Sequence, residues 1–477
     1  MARRKIIIDT DPGVDDILAL LLAFATLHEE LEVLLISVTY GNIDVQNCLR
    51  NVVSLFYHIE QEIAWRERQG RSTGFETLRK TKPLMEEMDW AASTTRYVAP
   101  PKVMCVYGDA DGKQHPHLTP DEAWKALFNA EEKGKDPVMA DMASEVSERT
   151  ALFAHSQQPA HQEILRLLRE SEPDTITIVA IGPLTTLAMA AAEDPEAFLR
   201  VKEVVVMGGT INQAGNVSPP TPPPSHSPAA PEPLYGLNKQ APGPIRDLLN
   251  LRNQITPLAE FNTFADAYAA ARVYALTSPN AHTTLPPTPP PPPGVDPASD
   301  APPPFLAPYP EKLSKRLNVT LFPLDITERH LLTRGEYRRV ITPLLEAKSP
   351  LAEWTEAFLS STFDKIETLQ KDVSGDAVAL QLHDPSCIYY CITSSDSRWK
   401  MIEDEDIRVE TSGQWTRGMC VVDNRTRKKR EDSEVGEQPG DSGNWLSRWA
   451  GNRLARCVGS PGEETFGGYM LKRIFDL

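Results

Sequence analysis

One short stretch near the start of the chain combines a strand, a turn and a helix start: Lys5-Ile-Ile-Ile-Asp-Thr-Asp-Pro-Gly-Val-Asp-Asp16. The β-branched run from Ile6 to Ile8 predicts a buried strand. Pro12 and Gly13 predict a turn directly after it. The apolar run from Ile17 to Phe24 then has the length of a helix. The stretch therefore predicts a strand-to-helix junction of the kind found in α/β folds.

Four carboxylates crowd this junction within a few residues: Asp9, Asp11, Asp15 and Asp16. In open α/β sheets, ligands bind outside the carboxyl ends of the strands. Like charges at this spacing are costly unless a positive charge lies among them. A hard divalent cation held by oxygen ligands is the natural candidate. Taken alone, the Asp15-Asp16 pair is equally typical of a helix N-terminus, where carboxylates accept hydrogen bonds from free N–H groups.

Apolar runs of strand length alternate with helical patterns along most of the chain. Strands are predicted over 31–40, 175–181 and 201–207, and helices over 47–62, 163–170 and 187–192. Between 64 and 114 the pattern fades, with a weaker strand over 103–106 and a helix beginning at Thr119. The alternation predicts an α/β fold: a Rossmann-like open, mostly parallel sheet with flanking helices.

Three segments interrupt this pattern. The stretch 219–243 is rich in Pro, Ser and Ala, the stretch 286–304 contains a polyproline run, and 425–443 is strongly charged. The first two carry too few apolar side chains to offset the entropy of ordering, so we expect mobile surface loops or polyproline II there, and we expect a solvated loop at 425–443. We therefore predict a single domain over 4–475, interrupted by an insert at 217–254 and by the loops 286–304 and 425–443.

Composition narrows the class of protein. The chain has 477 residues, is 41% hydrophobic and carries a formal net charge of -17, which argues against nucleic acid or an anionic membrane as a partner. The beginning of the chain lacks the apolar region and cleavage site of a signal peptide, and no apolar run has the length of a membrane span. The cysteines form neither a zinc spacing nor a disulfide-dense pattern. We expect a cytoplasmic protein.

The opening stretch and several later blocks resemble, in order, the motifs of the inosine–uridine-preferring nucleoside hydrolase family. The opening block is Asp9-Thr-Asp-Pro-Gly-Val-Asp-Asp16. The later blocks are Gly182-Pro-Leu-Thr185, Met207-Gly-Gly209, Gly215-Asn216, Ala259-Glu-Phe-Asn262 and Leu382-His-Asp-Pro385. The resemblance extends from Lys5 to the final helix near Leu471, and it implies the nucleoside hydrolase fold.

The resemblance also implies an activity and a metal. Members of the family hydrolyse the N-glycosidic bond of purine and pyrimidine ribonucleosides, such as uridine or inosine, to ribose and the free base. It implies one Ca²⁺ at the sheet edge, held by carboxylates matching Asp11, Asp16 and Asp384 and by the backbone carbonyl of Ile181. Asp11 would also be the general base that deprotonates the Ca²⁺-bound water.

Other residues match the family's substrate contacts. The ribose-binding polar groups would be Asn42, Asn216, Glu260 and Asn262. Asp15 would bind a ribose hydroxyl, Met207 would pack against the sugar, and His383 would be the general acid near the leaving base. The resemblance further implies a small-molecule nucleoside as the partner and a homodimer or homotetramer as the assembly.

Three departures from the family pattern affect these expectations. The family's glycine-rich loop and the histidine before it are replaced by Tyr107-Gly-Asp-Ala-Asp-Gly112, and an expected Asn is Thr186. The third departure is the insert 217–254, because Asn216 and Glu260 normally lie close together in sequence. Val217-Ser218 can be encoded by GTGAGT and Gln254 by CAG, the usual first and last bases of an intron. We hypothesise that the insert is a retained intron translated in frame and that 85–114 is a second gene-model error.

Two alternative functions remain open from the sequence. A strand ending in Asp-x-Asp also marks haloacid-dehalogenase-like Mg²⁺ phosphatases, in which the first Asp is the nucleophile. That class accounts for Asp9 and Asp11 but not for Glu260 or the His383-Asp384 pair. The altered loop and the insert favour the second alternative, a catalytically impaired relative that binds nucleosides.

Overall fold

The computed structural model describes residues 3–43, 45–87, 152–156, 158–217, 257–287, 306–369, 373–430 and 439–477. The predicted strand over 103–106, the helix beginning at Thr119 and the Tyr107–Gly112 loop lie outside these residues. So do most of the insert 217–254 and nearly all of the Pro-rich loop 286–304.

Thirteen strands are found in the described part of the chain. In chain order they are β1 (Arg4–Thr10), β2 (Leu31–Val38), β3 (Leu84–Glu87), β4 (Ala154–His155), β5 (Ile176–Ala180), β6 (Glu203–Met207), β7 (Val319–Phe322), β8 (Leu331–Thr333), β9 (Ala379–Gln381), β10 (Lys400–Glu405), β11 (Arg408–Val409), β12 (Cys420–Val421) and β13 (Leu454–Gly459).

The α-helices of the described residues separate most of these strands. They are α1 (Val14–Ala25), α2 (Val45–Arg68), α3 (Glu76–Lys80), α4 (Ala160–Glu170), α5 (Thr185–Glu193), α6 (Pro195–Phe198), α7 (Phe261–Ala265), α8 (Ala267–Ala275), α9 (Leu324–Thr327), α10 (Arg334–Glu346), α11 (Pro350–Leu369), α12 (His383–Thr393) and α13 (Phe466–Phe475). Short 3₁₀ turns cover Ala281–Thr283 and Gly375–Ala377.

Nine strands form one central sheet in the order β10-β13-β7-β6-β5-β1-β2-β3-β4. All neighbouring pairs are parallel except β10 and β13 at one edge, which are antiparallel. Helices connect most of the parallel strands, as parallel pairing requires. The prediction of an open, mostly parallel α/β sheet is confirmed.

The core lies on both faces of this sheet, and β1 shows why. Successive side chains of a strand point to opposite faces. Ile6 and Ile8 pack into the cluster that contains α1, whereas Ile7 packs into the cluster that contains α4 and α5. All three side chains are fully buried. A strand covered on both faces needs a continuous apolar run, and this is the pattern that the sequence shows.

One sequence expectation needs correction. Strand β3 lies in a region for which no periodic element was predicted, because its sequence Leu-Met-Glu-Glu has neither alternation nor a long apolar run.

The described parts of the charged loop 425–443 contain no helix or strand, and residues 425–428 are exposed. Asp441 is buried, forms an ion pair of 3.0 Å with Arg430 and accepts a hydrogen bond of 3.1 Å from the Leu446 amide, which links the two described parts of the loop.

Within the described residues, no helix combines the length and the apolar composition that crossing a bilayer would require.

Candidate functional site

Three neighbouring strands end side by side at the edge where the candidate residues lie. Asp9, near the end of β1, pairs with Ser37 of β2 on one side and with Ala180 of β5 on the other. Residues just beyond these ends, including Asp11, Asn42 and Ile181, are therefore brought to one place. Met207 ends the next strand, β6, on the same edge. The carboxyl ends of parallel strands are where ligands bind in folds of this kind.

The Asp16 carboxylate is held in a fixed orientation at the start of α1. One of its oxygens accepts a hydrogen bond of 2.6 Å from the Thr10 hydroxyl. The other oxygen accepts hydrogen bonds of 2.9 Å from the Gly13 amide and of 3.0 Å from Nδ2 of Asn42. Asp16 thus caps the helix, as the simpler interpretation of the sequence required, but it also contacts a residue that follows a different strand. Capping therefore accounts for only part of its environment.

The Asp11 carboxylate is fully buried, and its two oxygens have different surroundings. Oδ2 accepts a hydrogen bond of 2.7 Å from the Asn42 amide. Oδ1 has no hydrogen-bond partner among the described residues. Glycines make room for this side chain: a Cβ added at Gly41 would lie 2.1 Å from Oδ2, and one added at Gly182 would lie 2.7 Å from Oδ1. An unpaired oxygen in a tightly enclosed place is costly unless a ligand completes it.

Three carboxylates form a cluster that can hold a metal ion. Asp15 and Asp16 of α1 and Asp384 of α12 each offer an oxygen, and these oxygens lie within 4.8 Å of one another. Burial, together with the charges of Asp15, Asp16 and Asp11, raises the pKa of Asp384 well above its usual range. Burial raises the pKa of Asp16 as well. A divalent cation would remove this cost, and an all-oxygen donor set suits a hard cation.

The Ile181 carbonyl lies beside the Asn262 side chain. Nδ2 of Asn262 donates to the Ile181 oxygen at 3.1 Å and lies 3.3 Å from the Met207 carbonyl oxygen. These contacts join the ends of β5 and β6 to the first turn of α7. The amide donor of Asn262 is used by the protein itself, and its Oδ1 is left to accept from a ligand.

The Glu260 carboxylate is buried and is the N-cap of α7. It accepts hydrogen bonds from the amides of Asn262 at 2.7 Å, Gly209 at 2.8 Å and Thr263 at 2.9 Å. The neighbouring side chain of Asn216 accepts a hydrogen bond of 2.9 Å from the Phe261 amide. Both side chains therefore fix the backbone between the end of β6 and α7, and their role as ribose contacts stays a prediction.

His383 begins α12, directly before Asp384, and its side chain is half-buried. Its Nδ1 lies 2.8 Å from the hydroxyl oxygen of Thr327. Burial and the nearby His330 lower the pKa of His383 to about 4, so the imidazole is neutral at physiological pH. Asp384, which follows His383, is thus brought next to Asp15 and Asp16 from the beginning of the chain. The role of Asp11 as a metal ligand stays a prediction.

Sequence reasoning missed several residues that build this site. The Asn51 side chain is buried and donates a hydrogen bond of 2.9 Å to the Pro12 carbonyl, which anchors the turn between β1 and α1 to α2. The Ser37 hydroxyl donates to Asp9. Thr327 lies in the segment Pro323-Leu-Asp-Ile-Thr327, directly after strand β7. Its place after a strand end is the sequence feature by which it could have been recognised as a site residue.

Comparisons with known proteins identify the family of this chain. A family model described as inosine-uridine preferring nucleoside hydrolase matches residues 6–439. An inosine-uridine preferring nucleoside hydrolase of Leishmania major is 24% identical over 425 residues, which cover 88% of each chain. A uridine nucleosidase of Arabidopsis thaliana is 30% identical over 215 residues, 45% of this chain and 48% of the relative.

Solved structures show the same fold. The inosine-uridine preferring nucleoside hydrolase from Bacillus anthracis superposes with a TM-score of 0.53 at 15% identity, covering 99% of this chain and 100% of that one. A plant nucleoside hydrolase gives 0.55 at 17% identity over 99% of both chains. The match over most of the chain does not favour the phosphatase alternative, and it establishes that this protein belongs to the inosine–uridine preferring nucleoside hydrolase family.

Proposed function

We propose that this protein hydrolyses the N-glycosidic bond of ribonucleosides such as uridine or inosine, releasing ribose and the free base, and that it uses Ca²⁺ to do so. The observation that carries the proposal is the meeting of Asp384 with Asp15 and Asp16, beside Asp11, at one sheet edge. Asp384 is distant in sequence from the other three, and the carboxylates of Asp11, Asp16 and Asp384 are buried. Buried carboxylates concentrated in this way are costly to folding and are typical of a functional site.

The residues present fit a bound Ca²⁺. Ca²⁺ takes several oxygen ligands from carboxylates, carbonyls and hydroxyls. Asp11, Asp16, Asp384 and the Ile181 carbonyl would hold it, and the buried Oδ1 of Asp11 supplies a free acceptor. When bound, Ca²⁺ supplies positive charge that offsets the clustered carboxylates and favours the ionised form of a nearby water.

The side chains then have distinct roles. Asp11 takes the proton from the attacking water as general base. His383, predicted as the general acid, donates a hydrogen bond from its neutral imidazole to the leaving base and stabilises the negative charge that develops there, and the base takes its proton from water. The ribose is held by a group of polar side chains with Met207 packed against the sugar: Asp15, Asn42, Asn216, Glu260 and Asn262. Because Asn216 and Glu260 already bind backbone amides, their contribution is to hold the loop around the ribose as well as to contact it.

The electrostatics of the site suit this reaction. Breaking the glycosidic bond develops positive charge on the sugar, in a transition state that resembles an oxocarbenium ion. Carboxylates fixed beforehand stabilise that charge more than they stabilise the neutral substrate, and this difference is what accelerates the reaction. Asp16 is fixed by hydrogen bonds from Thr10, Gly13 and Asn42 before any substrate arrives.

Release of ribose from uridine and inosine in a calcium-containing buffer tests the proposal. We expect turnover that is lost after chelation and regained when Ca²⁺ is returned. Thermal unfolding with and without Ca²⁺ gives a second measure, because a ligand that binds only the folded state stabilises it by about 2.7 kcal/mol at a concentration of 100 Kd. Phosphate release from a phosphomonoester without ribose release would favour the phosphatase instead. Nucleoside binding without turnover would favour the impaired relative.

The assembly and location belong to the same proposal. We propose a homodimer or homotetramer in the cytoplasm, with a small-molecule nucleoside as the partner and no nucleic acid. Light scattering coupled to size exclusion measures the first of these directly. A monomer at micromolar concentration would contradict the assembly without affecting the proposed chemistry.

A further inference from the structure

The hydroxyl of Thr327 is buried behind His383 and has one partner. Thr327 is fully buried, and in the described part of the chain its Oγ1 contacts only Nδ1 of His383, at 2.8 Å. The backbone around this contact is fixed on both sides. The amide of Leu382, the residue before His383, donates a hydrogen bond of 2.8 Å to the carbonyl of His330. Strand β8, which follows His330, pairs with strand β9, which precedes Leu382.

The short helix that carries Thr327 is held in place as well. Asp325 of α9 accepts hydrogen bonds of 2.9 Å from the amides of Ile211 and Asn212. These amides belong to the loop that follows β6, where Met207 and Gly209 lie. The position of the Thr327 hydroxyl is therefore tied to the sheet edge that carries the carboxylates.

The direction of the Thr327–His383 hydrogen bond follows from this burial. If Nδ1 carried the imidazole proton, the buried Thr327 hydroxyl would accept it and its own hydrogen would be left without an acceptor. A buried donor without an acceptor is unfavourable. If the hydroxyl donates to Nδ1 instead, both groups are satisfied and the imidazole proton is on Nε2.

We propose that Thr327 is a positioning residue that fixes His383 in the tautomer with its proton on Nε2, the nitrogen left to donate to the leaving base. The proposal rests on the proposed hydrolysis and deepens it. Thr327 touches neither substrate nor metal in this role and acts only through His383. It requires no change in the charge of His383, only a fixed ring orientation and a fixed tautomer.

The Thr327→Val variant tests this role, because Val keeps the shape and removes the hydroxyl. We expect turnover of uridine and inosine to fall about 10- to 100-fold, because a misdirected hydrogen-bond donor stabilises the leaving base less. Hydrolysis of 4-nitrophenyl riboside should change less than about threefold, because that leaving group is stable as an anion. Thr327→Ser restores the hydroxyl and should recover most of the turnover. Thr362→Val is the matched control, since its buried hydroxyl donates 2.8 Å to the Phe358 carbonyl away from the site.

A double-mutant cycle separates positioning from general structural damage. In the His383→Ala background, Thr327→Val should cause no further loss, because the bond through which it acts is absent. An additional tenfold loss there, or equal losses on nucleosides and nitrophenyl riboside, would overturn the proposal.

A second measurement does not depend on activity. Nitrogen NMR of His383 should report a protonated Nε2 and a bare Nδ1 in the wild type, with the tautomers mixed in Thr327→Val. The opposite tautomer in the wild type would contradict this role of Thr327 even if nucleosides are cleaved. Absence of ribose release from every substrate by the wild type would contradict the proposed function, and the role of Thr327 in hydrogen-bond donation to the leaving base with it.

Discussion

At the scale of single residues, the site depends on carboxylates whose surroundings differ although their sequence context is similar. Asp9 and Asp11 flank Thr10 on one strand end, yet Asp9 accepts from Ser37 and Asp11 from the Asn42 amide. Burial raises the pKa of Asp9 to about 7. Burial and the Asp16 charge raise the pKa of Asp11 well above its usual range. The chain therefore bears an electrostatic cost at this point that a bound cation would relieve.

Asp11→Asn should separate catalysis from folding. The variant keeps the shape of the side chain but loses the general base and the charge that would bind Ca²⁺. We expect the turnover of uridine to fall at least about 10³-fold. Because a buried negative charge is removed, the metal-free variant should unfold at the same or a higher temperature than the metal-free wild type.

The matched control is Asp325→Asn, a buried carboxylate that binds loop amides outside the acidic cluster. It should lower thermal stability while its calcium affinity stays within about threefold of wild type. Near-normal turnover in Asp11→Asn would contradict the role of Asp11 as base.

At the scale of elements, long-range polar contacts join helices that are distant in sequence. Glu62 and Arg66 of α2 form a buried ion pair with a separation of 2.8 Å. Glu62 also accepts a hydrogen bond of 2.7 Å from the Ser349 hydroxyl at the start of α11. Arg66 donates a hydrogen bond of 3.1 Å to the Ile474 carbonyl of α13. One pair on α2 thus joins α11 and the C-terminal helix to α2.

Glu62→Gln should destabilise the protein strongly. The substitution leaves the Arg66 guanidinium buried without its counter-charge, and breaking such pairs costs about 3–5 kcal/mol. The midpoint of urea unfolding measures this loss. Glu76→Gln is the control, because the Glu76–Lys80 pair has the same i,i+4 spacing on α3 but is exposed to solvent. A change in Glu62→Gln as small as the control's would show that solvent reaches Arg66.

The stack between α2 and α11 should make stability depend on pH. His58 lies face to face with Trp354, with ring centroids 4.8 Å apart, and burial lowers its pKa from 6.5 to about 4. Between these values the unfolded chain binds a proton that the folded chain does not. The free energy of unfolding therefore falls as the pH is lowered from about 6.5 to about 4, by up to about 3 kcal/mol from this group.

His58→Phe keeps the stack and removes the titration. Its urea midpoint should depend less on pH than that of the wild type over this window, and the two proteins should converge above about pH 7. Parallel pH profiles would show that His58 titrates alike in both states. Comparing the two proteins in one buffer cancels the contributions of the buried carboxylates, which act in the opposite direction.

At the scale of the whole molecule, the ends of the insert are already joined by the fold. The Gly215 amide donates 2.6 Å to the Pro257 carbonyl, and the Asn216 amide donates 3.2 Å to the Ala259 carbonyl. Val217 packs with Ala259 and Phe264 in a small buried cluster. The candidate residues Asn216 and Glu260 are therefore adjacent whatever the path of the chain between them.

Deleting 217–254 should leave the protein folded. Asn216 would then precede Ile255, whose β-branched side chain can take the position of Val217, and a short loop would reach Pro257. Loop-closure entropy changes slowly with length, so we expect stability within about 1–2 kcal/mol of the full chain. Calcium-dependent melting and ribose release from uridine check the variant. Loss of the cooperative transition would contradict the prediction, and a mature transcript containing codons 217–254 would contradict the intron hypothesis.

Strands with strong local patterns were predictable from the sequence, and those with weak patterns were not. The runs that became β1, β2, β5 and β6 are apolar and β-branched because parallel strands in the middle of a sheet are buried on both faces. Strand β3 has only four residues and two glutamates, so its pairing with β2 depends on the sheet already being present. The predicted helices within the described residues are all shorter than the observed ones, by as many as six residues at the end of α2, since helix ends depend on capping contacts that the sequence shows incompletely.

The sequence by itself determined the strand-turn-helix at Asp9 to Asp16, the α/β class and the family, because these follow from local composition and from motifs in a fixed order. Only the tertiary structure decided which groups meet. It brought Asp384 to Asp16, joined Asn262 to Ile181, used Glu260 as a helix cap and set Thr327 against His383. The physical reason is that these contacts join residues distant along the chain. Their distances are set by strand order and helix packing, which no local pattern encodes.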